Sequence, residues 1–180
     1  KGSLVMDYLE IEGKKQLNRF GIPINDSILL TENVDLTKVP YPCVLKGQIL
    51  SGKRGKAGAV RVVKSEEELK EVKEIIEKIT INGKSMEGII ACGFLPIVEE
   101  YYMGMTLDVK NRAVIMLFTP FGGMDIEELA TTSPEKLMRL DCTEGFDEAA
   151  FRESAKIFEL PDERLNKIVD MAVKQSAGLQ

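Results

Sequence analysis

"VLKGQILSGKRGKAGAVRVV", Val44 to Val63, sets two short apolar runs around a loop that mixes Gly52, Gly55 and Gly58 with Lys53, Arg54 and Lys56. The runs predict two strands, the first entered through Pro40 and Pro42, which suit a strand's start better than its middle. The loop has two readings. One is a solvated basic turn. The other is a phosphate cradle, in which glycines let backbone N–H groups converge, a lysine supplies a point charge and an arginine a fork. Lys46 at the strand end, followed by Arg54 and Lys56, meets that requirement. Ala57 stands where a GxxxxGK[ST] loop has Ser or Thr, so the P-loop signature is absent. Loop chemistry alone leaves both readings open, with the plain turn slightly ahead because such turns are common on surfaces.

The rest of the chain makes any anion site a local matter. It has 180 residues, 44% hydrophobic and 29% charged, with net charge −5, which argues against a general nucleic-acid or membrane-surface binder. No apolar run approaches the roughly 20 residues that span a bilayer. The N-terminus lacks a signal-peptide layout, and "KGSLVM" reads as leader residues before a natural start at Met6. Cys43, Cys92 and Cys142 form no CxxC pair, which predicts reduced thiols in a cytoplasmic protein and no metal site. Histidine is absent, so this chain supplies no imidazole nucleophile, base or metal ligand.

Outward from the loop, "MDYLEIEGKKQLNRFGIP" predicts a helix with an imperfect stripe of Tyr8, Ile11, Lys15 and Leu17–Phe20, stopped by Gly21 and Pro23. "DSILLT" predicts a strand. Ser65 and Glu68 form a capping box ahead of Leu69, Val72, Ile76 and Ile79 at helical spacing. "INGK" signals a turn, and "KNRAVIMLFT" is a strand after a hairpin turn at Asp108–Asn111. From "MDIEELA" onward helical signals dominate, with Ser133 as N-cap and Pro134 at the first helical position of "SPEKLM". Two amphipathic helices follow, the last with Leu165, Ile168, Val169, Ala172 and Val173 on one face. The mix predicts an α+β protein of two subdomains meeting near Gly93.

Two further segments carry chemistry. Glu99 and Glu100 interrupt the apolar run "PIVEEYYMG", so in a strand one of them faces inward. That carboxylate either lies at a subdomain edge or accepts from a ligand. Gly122-Gly123 precedes the helix start of "MDIEEL", as an anion loop or as an ordinary connector.

Together, "QLNRFGIP", "VLKGQILSGKRGKAGAVRVV", "EEYYMGMTLD" and "TPFGGMDIEELA" resemble the amino-terminal ATP-grasp region of the beta subunit of succinate–CoA ligase (succinyl-CoA synthetase). The resemblance covers nearly the whole chain from Met6 and tips the loop toward the phosphate reading. It implies an ATP-grasp fold of two α/β subdomains with a nucleotide cleft between them. The expected division is residues 1–25 plus 97–180 as one subdomain and 26–96 as a smaller inserted one bearing the flap. It also implies an NDP-forming acyl-CoA ligase, a tricarboxylic acid cycle enzyme that uses ATP or GTP with magnesium. Such enzymes act through a phosphohistidine on a partner alpha subunit in a cytoplasmic hetero-oligomer.

The same resemblance assigns residues. Lys46 contacts the nucleotide phosphates, and Lys53, Arg54 and Gly55 form the flap over them. Cys92 and Leu95 occupy the hinge that holds adenine through backbone groups, and Glu100 lies near the ribose or phosphates. Gly122 and Gly123 face the swinging phosphohistidine. Two positions depart from the family pattern: Lys53 replaces a usual glycine, and Cys92-Gly93 replaces an acidic hinge. The family's metal ligands, in an "EINP"-like segment and a following strand aspartate, have no match up to Gln180. The expectation is therefore a truncated region, inactive alone and without catalytic residues of its own. A sister ligase for another acid, an ATP-citrate-lyase-like subunit and a non-catalytic scaffold are the alternatives.

Overall fold

The computed structural model describes residues 8–52 and 54–177, so the expectations for Met6 and Lys53 lie outside the described residues. The chain divides into two compact units between Pro96 and Ile97.

In the first unit, helix α1 (Glu10–Arg19) is followed by β1 (Ser27–Leu29), β2 (Cys43–Gln48), β3 (Val60–Val63), α2 (Glu66–Glu77), the β4–β5 hairpin (Thr80–Ile81, Lys84–Ser85) and β6 (Gly88–Gly93). The sheet order is β1-β6-β2-β3, with every pairing antiparallel. Alternation along β2 decides which side chain meets which helix. Leu45 joins Val63, Leu69, Ile76 and Ile89 in the core beneath α2. Lys46 and Gln48 point the other way, toward α1. Gly47 is required for α2 to lie this close, because a Cβ there would sit 2.7 Å from the Met86 sulfur and 3.1 Å from Ile76.

Ser65 caps α2 by accepting from Glu68 N at 3.3 Å. The reciprocal half of the predicted box is displaced by one residue, since the Glu68 carboxylate accepts from Lys64 N at 2.7 Å. Asn82 and Gly83, both at positive φ, make the tight turn of the β4–β5 hairpin.

Helix α1 departs from the sequence expectation in two ways. It lies in the first unit rather than with residues 97–180, because Glu10, Ile11 and Lys14 bond to Lys46, Gln48 and Ser27 of that unit's sheet. Its inward face is the polar one: Lys15, Leu17 and Phe20 are exposed, and none of its residues is fully buried.

The second unit is a three-stranded antiparallel sheet, β7 (Tyr102–Asp108), β8 (Ala113–Thr119) and β9 (Met138–Asp141), with α3 (Ile126–Thr132), α4 (Glu148–Ala155) and α5 (Asp162–Ala177). Central β8 is buried on both faces, which explains its unbroken apolar run. Ile115 and Leu117 pack with Leu129 of α3. Met116 and Phe118 pack with Phe151 of α4 and with Ile168 and Val169 of α5. Asp108 accepts from Asn111 N at 3.1 Å in the predicted hairpin turn.

Two expectations are corrected here. Pro134–Lys136 is only a short 3-10 turn, without a side-chain cap from Ser133, and "MRLD" after it is strand β9. Met138 and Leu140 are buried while Arg139 and Asp141 are exposed, a period-2 pattern too short to outweigh the Ser-Pro helix signal. Glu99 and Glu100 precede β7 instead of lying in it, and both are exposed, so neither is forced inward.

Candidate functional site

The β2–β3 connection folds back on its own strand. Ala59 N donates to Arg54 O at 3.0 Å, Gly58 N to Gly55 O at 3.1 Å, and Gly47 N to Ala59 O at 2.8 Å. Gly58 has φ +76°, a conformation that costs glycine little. These turns swing Arg54 over the end of β2, where its Nη1 donates to Gly47 O at 3.2 Å. Its Nη2 lies 3.0 Å from Glu10 Oε2, while Lys46 Nζ lies 2.9 Å from Glu10 Oε1. Lys14, one turn along α1, is 3.4 Å from the same Oε1. Lys46 and Arg54 thus converge on a single carboxylate whose side chain is 16% exposed.

Burial alone would raise the Glu10 carboxyl, but the Lys46 hydrogen bond and the charges of Lys46, Arg54 and Lys14 outweigh it and hold the group below the usual carboxylate range. Among the described residues the cluster pairs three cations, Lys14, Lys46 and Arg54, with the one Glu10 carboxylate. Gln48, almost fully buried, fixes the surroundings: its Oε1 accepts from Ile11 N at 3.1 Å and its Nε2 donates to Lys46 O at 3.2 Å. A lysine ammonium and an arginine fork that hold a carboxylate are donor types that can also hold a phosphate group.

Lys14 is held by more than Glu10. Its ammonium donates to Ser27 Oγ at 2.8 Å and Asn25 O at 3.1 Å, and it lies 3.4 Å from Cys92 Sγ. Cys92 is buried inside β6, opposite Ser27 on one side and Val44 on the other, so its peptide groups serve the ladder. Leu95 lies past the end of that strand and is exposed.

In the second unit, the structure brings Glu100 and Gly122-Gly123 together. Gly122 N donates to Glu100 O at 2.9 Å. A Cβ on Gly122 would meet Glu100 backbone and side-chain atoms at 2.5 Å, and one on Gly123 would lie 3.1 Å from Glu100 Oε2. The N-terminus of α3 is already capped by Asp125, which accepts from Glu128 N at 3.3 Å, and it carries Glu127 and Glu128 in its first turn. It does not favour an anion. Glu99 points elsewhere, pairing with Arg164 at 2.7 Å and accepting from the Tyr101 hydroxyl.

Sequence reasoning missed Glu10, Lys14 and Gln48. The usable signal was the i, i+4 pair of Glu10 and Lys14, whose face carries no stripe of large apolar residues. Among the described residues no three acidic or thiol side chains converge as a metal site. Among them, too, no helix is long and apolar enough to cross a membrane.

A four-stranded and a three-stranded antiparallel sheet, in separate units and each with accompanying helices, define an α+β protein. The ATP-grasp domain profile matches residues 7–177, and the chain belongs to that family. It is similar to the ADP-forming succinate–CoA ligase beta subunit of Methanocaldococcus jannaschii, 34% identical over 92% of this chain and 46% of that protein. The Exiguobacterium sibiricum subunit of the same description is 33% identical over 94% of this chain and 47% of its own length. The chain therefore spans about half the length of these curated relatives. In fold it matches a crystal structure from Pyrococcus horikoshii, with TM-score 0.73 and 22% identity over 96% of this chain and 77% of that one. It also matches the dinucleotide-forming acetyl-coenzyme A synthetase 1 of Candidatus Korarchaeum cryptofilum, solved with coenzyme A and Ca-AMPCP, with TM-score 0.70 and 19% identity over 94% of this chain and 79% of that one.

Proposed function

We propose that Lys46 and Arg54 hold the phosphates of ATP or GTP, and that the chain is the nucleotide-binding region of an NDP-forming acyl-CoA ligase beta subunit acting on succinate. The observation that carries this reading is the Glu10 carboxylate bridging Lys46 and Arg54 at 2.9 and 3.0 Å. Lys46 supplies a compact charge, and Arg54 can turn its fork from a carboxylate to a phosphate without changing its backbone. Lys53 and Gly55 complete the flap. In the hinge, Leu95 holds the adenine through its backbone, since the peptide groups of Cys92 serve the β6 ladder; Glu100 serves the ribose or phosphate side, and Gly122-Gly123 faces the phosphohistidine of an alpha subunit. The overall reaction is succinate, coenzyme A and ATP giving succinyl-CoA, ADP and phosphate. This chain's share of it is to position phosphates and neutralise their charge. The names of the curated relatives support succinate as the acid, and magnesium would accompany the nucleotide. Three buried free thiols suit a reducing cytoplasm.

Titration calorimetry with ATP and with GTP, each with and without magnesium, tests the reading. Binding in the micromolar-to-millimolar range that Lys46→Ala and Arg54→Ala both abolish is the expected result. Unchanged binding by both variants would refute it. A non-catalytic scaffold is the second reading, favoured by the buried thiol of Cys92 where the resemblance calls for a hinge carboxylate. Complete absence of nucleotide binding would support it.

A further inference from the structure

We infer that Glu10 is an exchangeable counter-anion of the phosphate site: it holds Lys46 and Arg54 until a nucleotide takes them, and Lys14 retains it afterwards. The inference rests on the phosphate reading of Lys46 and Arg54 and adds a residue that decides how tightly that site binds.

The geometry separates two kinds of cation around the one carboxylate. Lys46 and Arg54 are 30% and 26% exposed, on the open side of the cluster. Lys14 is 16% exposed and is fixed by Ser27 Oγ and Asn25 O, so it cannot leave with a ligand. An incoming phosphate needs the donors that Glu10 now occupies, and two anions on the same donors repel. Expelling a lone carboxylate into a half-buried site would be expensive, because a buried charge without a partner is strongly destabilising. Glu10 avoids that outcome because Lys14 lies one helical turn away, 3.4 Å from Oε1, and can close to a direct hydrogen bond. Ile11 N remains bonded to Gln48 Oε1, so α1 keeps its place through the exchange. A phosphate oxygen then replaces each carboxylate oxygen on Lys46 and Arg54, with no proton transferred and the cluster's excess positive charge absorbed by the ligand.

Two consequences distinguish an exchangeable anion from a residue that only orients the cations. Removing the charge with Glu10→Gln should tighten binding of ATP, and of pyrophosphate as a phosphate-only probe, by about tenfold, the worth of one charge-assisted contact no longer broken. An orienting residue would give weaker binding. Removing the fallback partner with Lys14→Met should weaken binding, because Glu10 then has only Lys46 and Arg54 to pair with. In Glu10→Gln/Lys14→Met the lysine should matter far less, giving a non-additive cycle.

Calorimetric titration of wild type and these variants, beside Lys46→Ala and Arg54→Ala, decides the matter. Loss of binding in the two alanine variants with tighter binding in Glu10→Gln supports the exchange. Loss in the alanine variants with equal or weaker binding in Glu10→Gln overturns the exchange and leaves the phosphate site standing. No wild-type binding, or binding indifferent to Lys46 and Arg54, overturns both. Should Glu10→Gln fail to fold, Glu10→Asp takes its place: one methylene shorter, it cannot span both cations, and it too must bind more tightly than wild type.

Discussion

Replacing Gly122 with alanine puts the second unit's candidate residues under direct strain. A Cβ at this position would lie 2.5 Å from the Glu100 carbonyl carbon, its oxygen and its Cγ. Restoring ordinary contact at 3.4 Å requires about 0.9 Å of movement, and two of the three opposing atoms are backbone, which cannot rotate aside. That displacement also stretches the 2.9 Å hydrogen bond from Gly122 N to Glu100 O beyond useful length. The lost bond costs about 1 kcal/mol, and the forced backbone shift about 1–3 kcal/mol more. For a chain of this size each kcal/mol moves Tm by about 2–4 °C, so a drop of about 4–16 °C is expected. Circular dichroism melts of Gly122→Ala beside Gly52→Ala measure it, since a Cβ on Gly52 meets nothing within 4 Å. Gly52→Ala should stay within about 0.5 kcal/mol of wild type. If Gly122→Ala melts within about 1 °C of wild type, Glu100 is not held against the glycine loop and the steric argument fails.

Acid should erase the contribution of Glu10. Its folded-state pKa is depressed, so the stabilisation is present above about pH 4.3, the unfolded value, and is lost as pH falls through the lower folded value. Urea denaturation across that range should show wild type and Glu10→Gln converging in acid and diverging toward neutrality. Phe118→Ala should cost about 3–5 kcal/mol, because the fully buried ring has Phe151 and Phe158 at centroid distances of 5.7 Å and Tyr101 at 6.4 Å; denaturant midpoints check it. Native protein at pH 8 should resist thiol labelling until denaturant is added, since all three cysteines are buried and burial pushes the Cys43 thiol up to about 11.

What the sequence made legible was local. The capping serine of α2, the Asn82-Gly83 turn and the apolar run of β8 each announce themselves within a dozen residues, and each forms where expected. Strand β9 was hidden because two inward residues, Met138 and Leu140, make a weaker signal than the Ser133-Pro134 pair before them. The candidate site divides along the same line. Lys46, Arg54 and the loop glycines could be singled out from composition and spacing, but the anion between them could not. Glu10 lies 36 residues before Lys46, on a helix whose best apolar stripe suggested the opposite face inward. Only the β2 pleat, which sends Leu45 to one helix and Lys46 to the other, shows that the charged face of α1 is the packed one.

That placement also answers how a chain of net charge −5 keeps cations together in a partly buried corner. Among the described residues Lys14, Lys46 and Arg54 against one Glu10 leave an excess of two positive charges. Full neutralisation by carboxylates would have favoured the empty protein and left a phosphate nothing to gain. With no carboxylate at all, mutual repulsion among the cations would destabilise the empty protein, a cost that an incoming phosphate then relieves. One carboxylate is the intermediate solution: it steadies the empty protein by pairing with Lys46 and Arg54 and leaves the surplus charge for the ligand. The same bookkeeping makes Cys92 consequential. A second carboxylate at that position would compete for Lys14 and free Glu10 to grip the other two cations harder, whereas the thiol, 3.4 Å from the Lys14 ammonium, leaves Lys14 available to Glu10. Cys92→Glu should therefore weaken pyrophosphate binding in this chain even though it restores the acidic hinge that the family resemblance calls for.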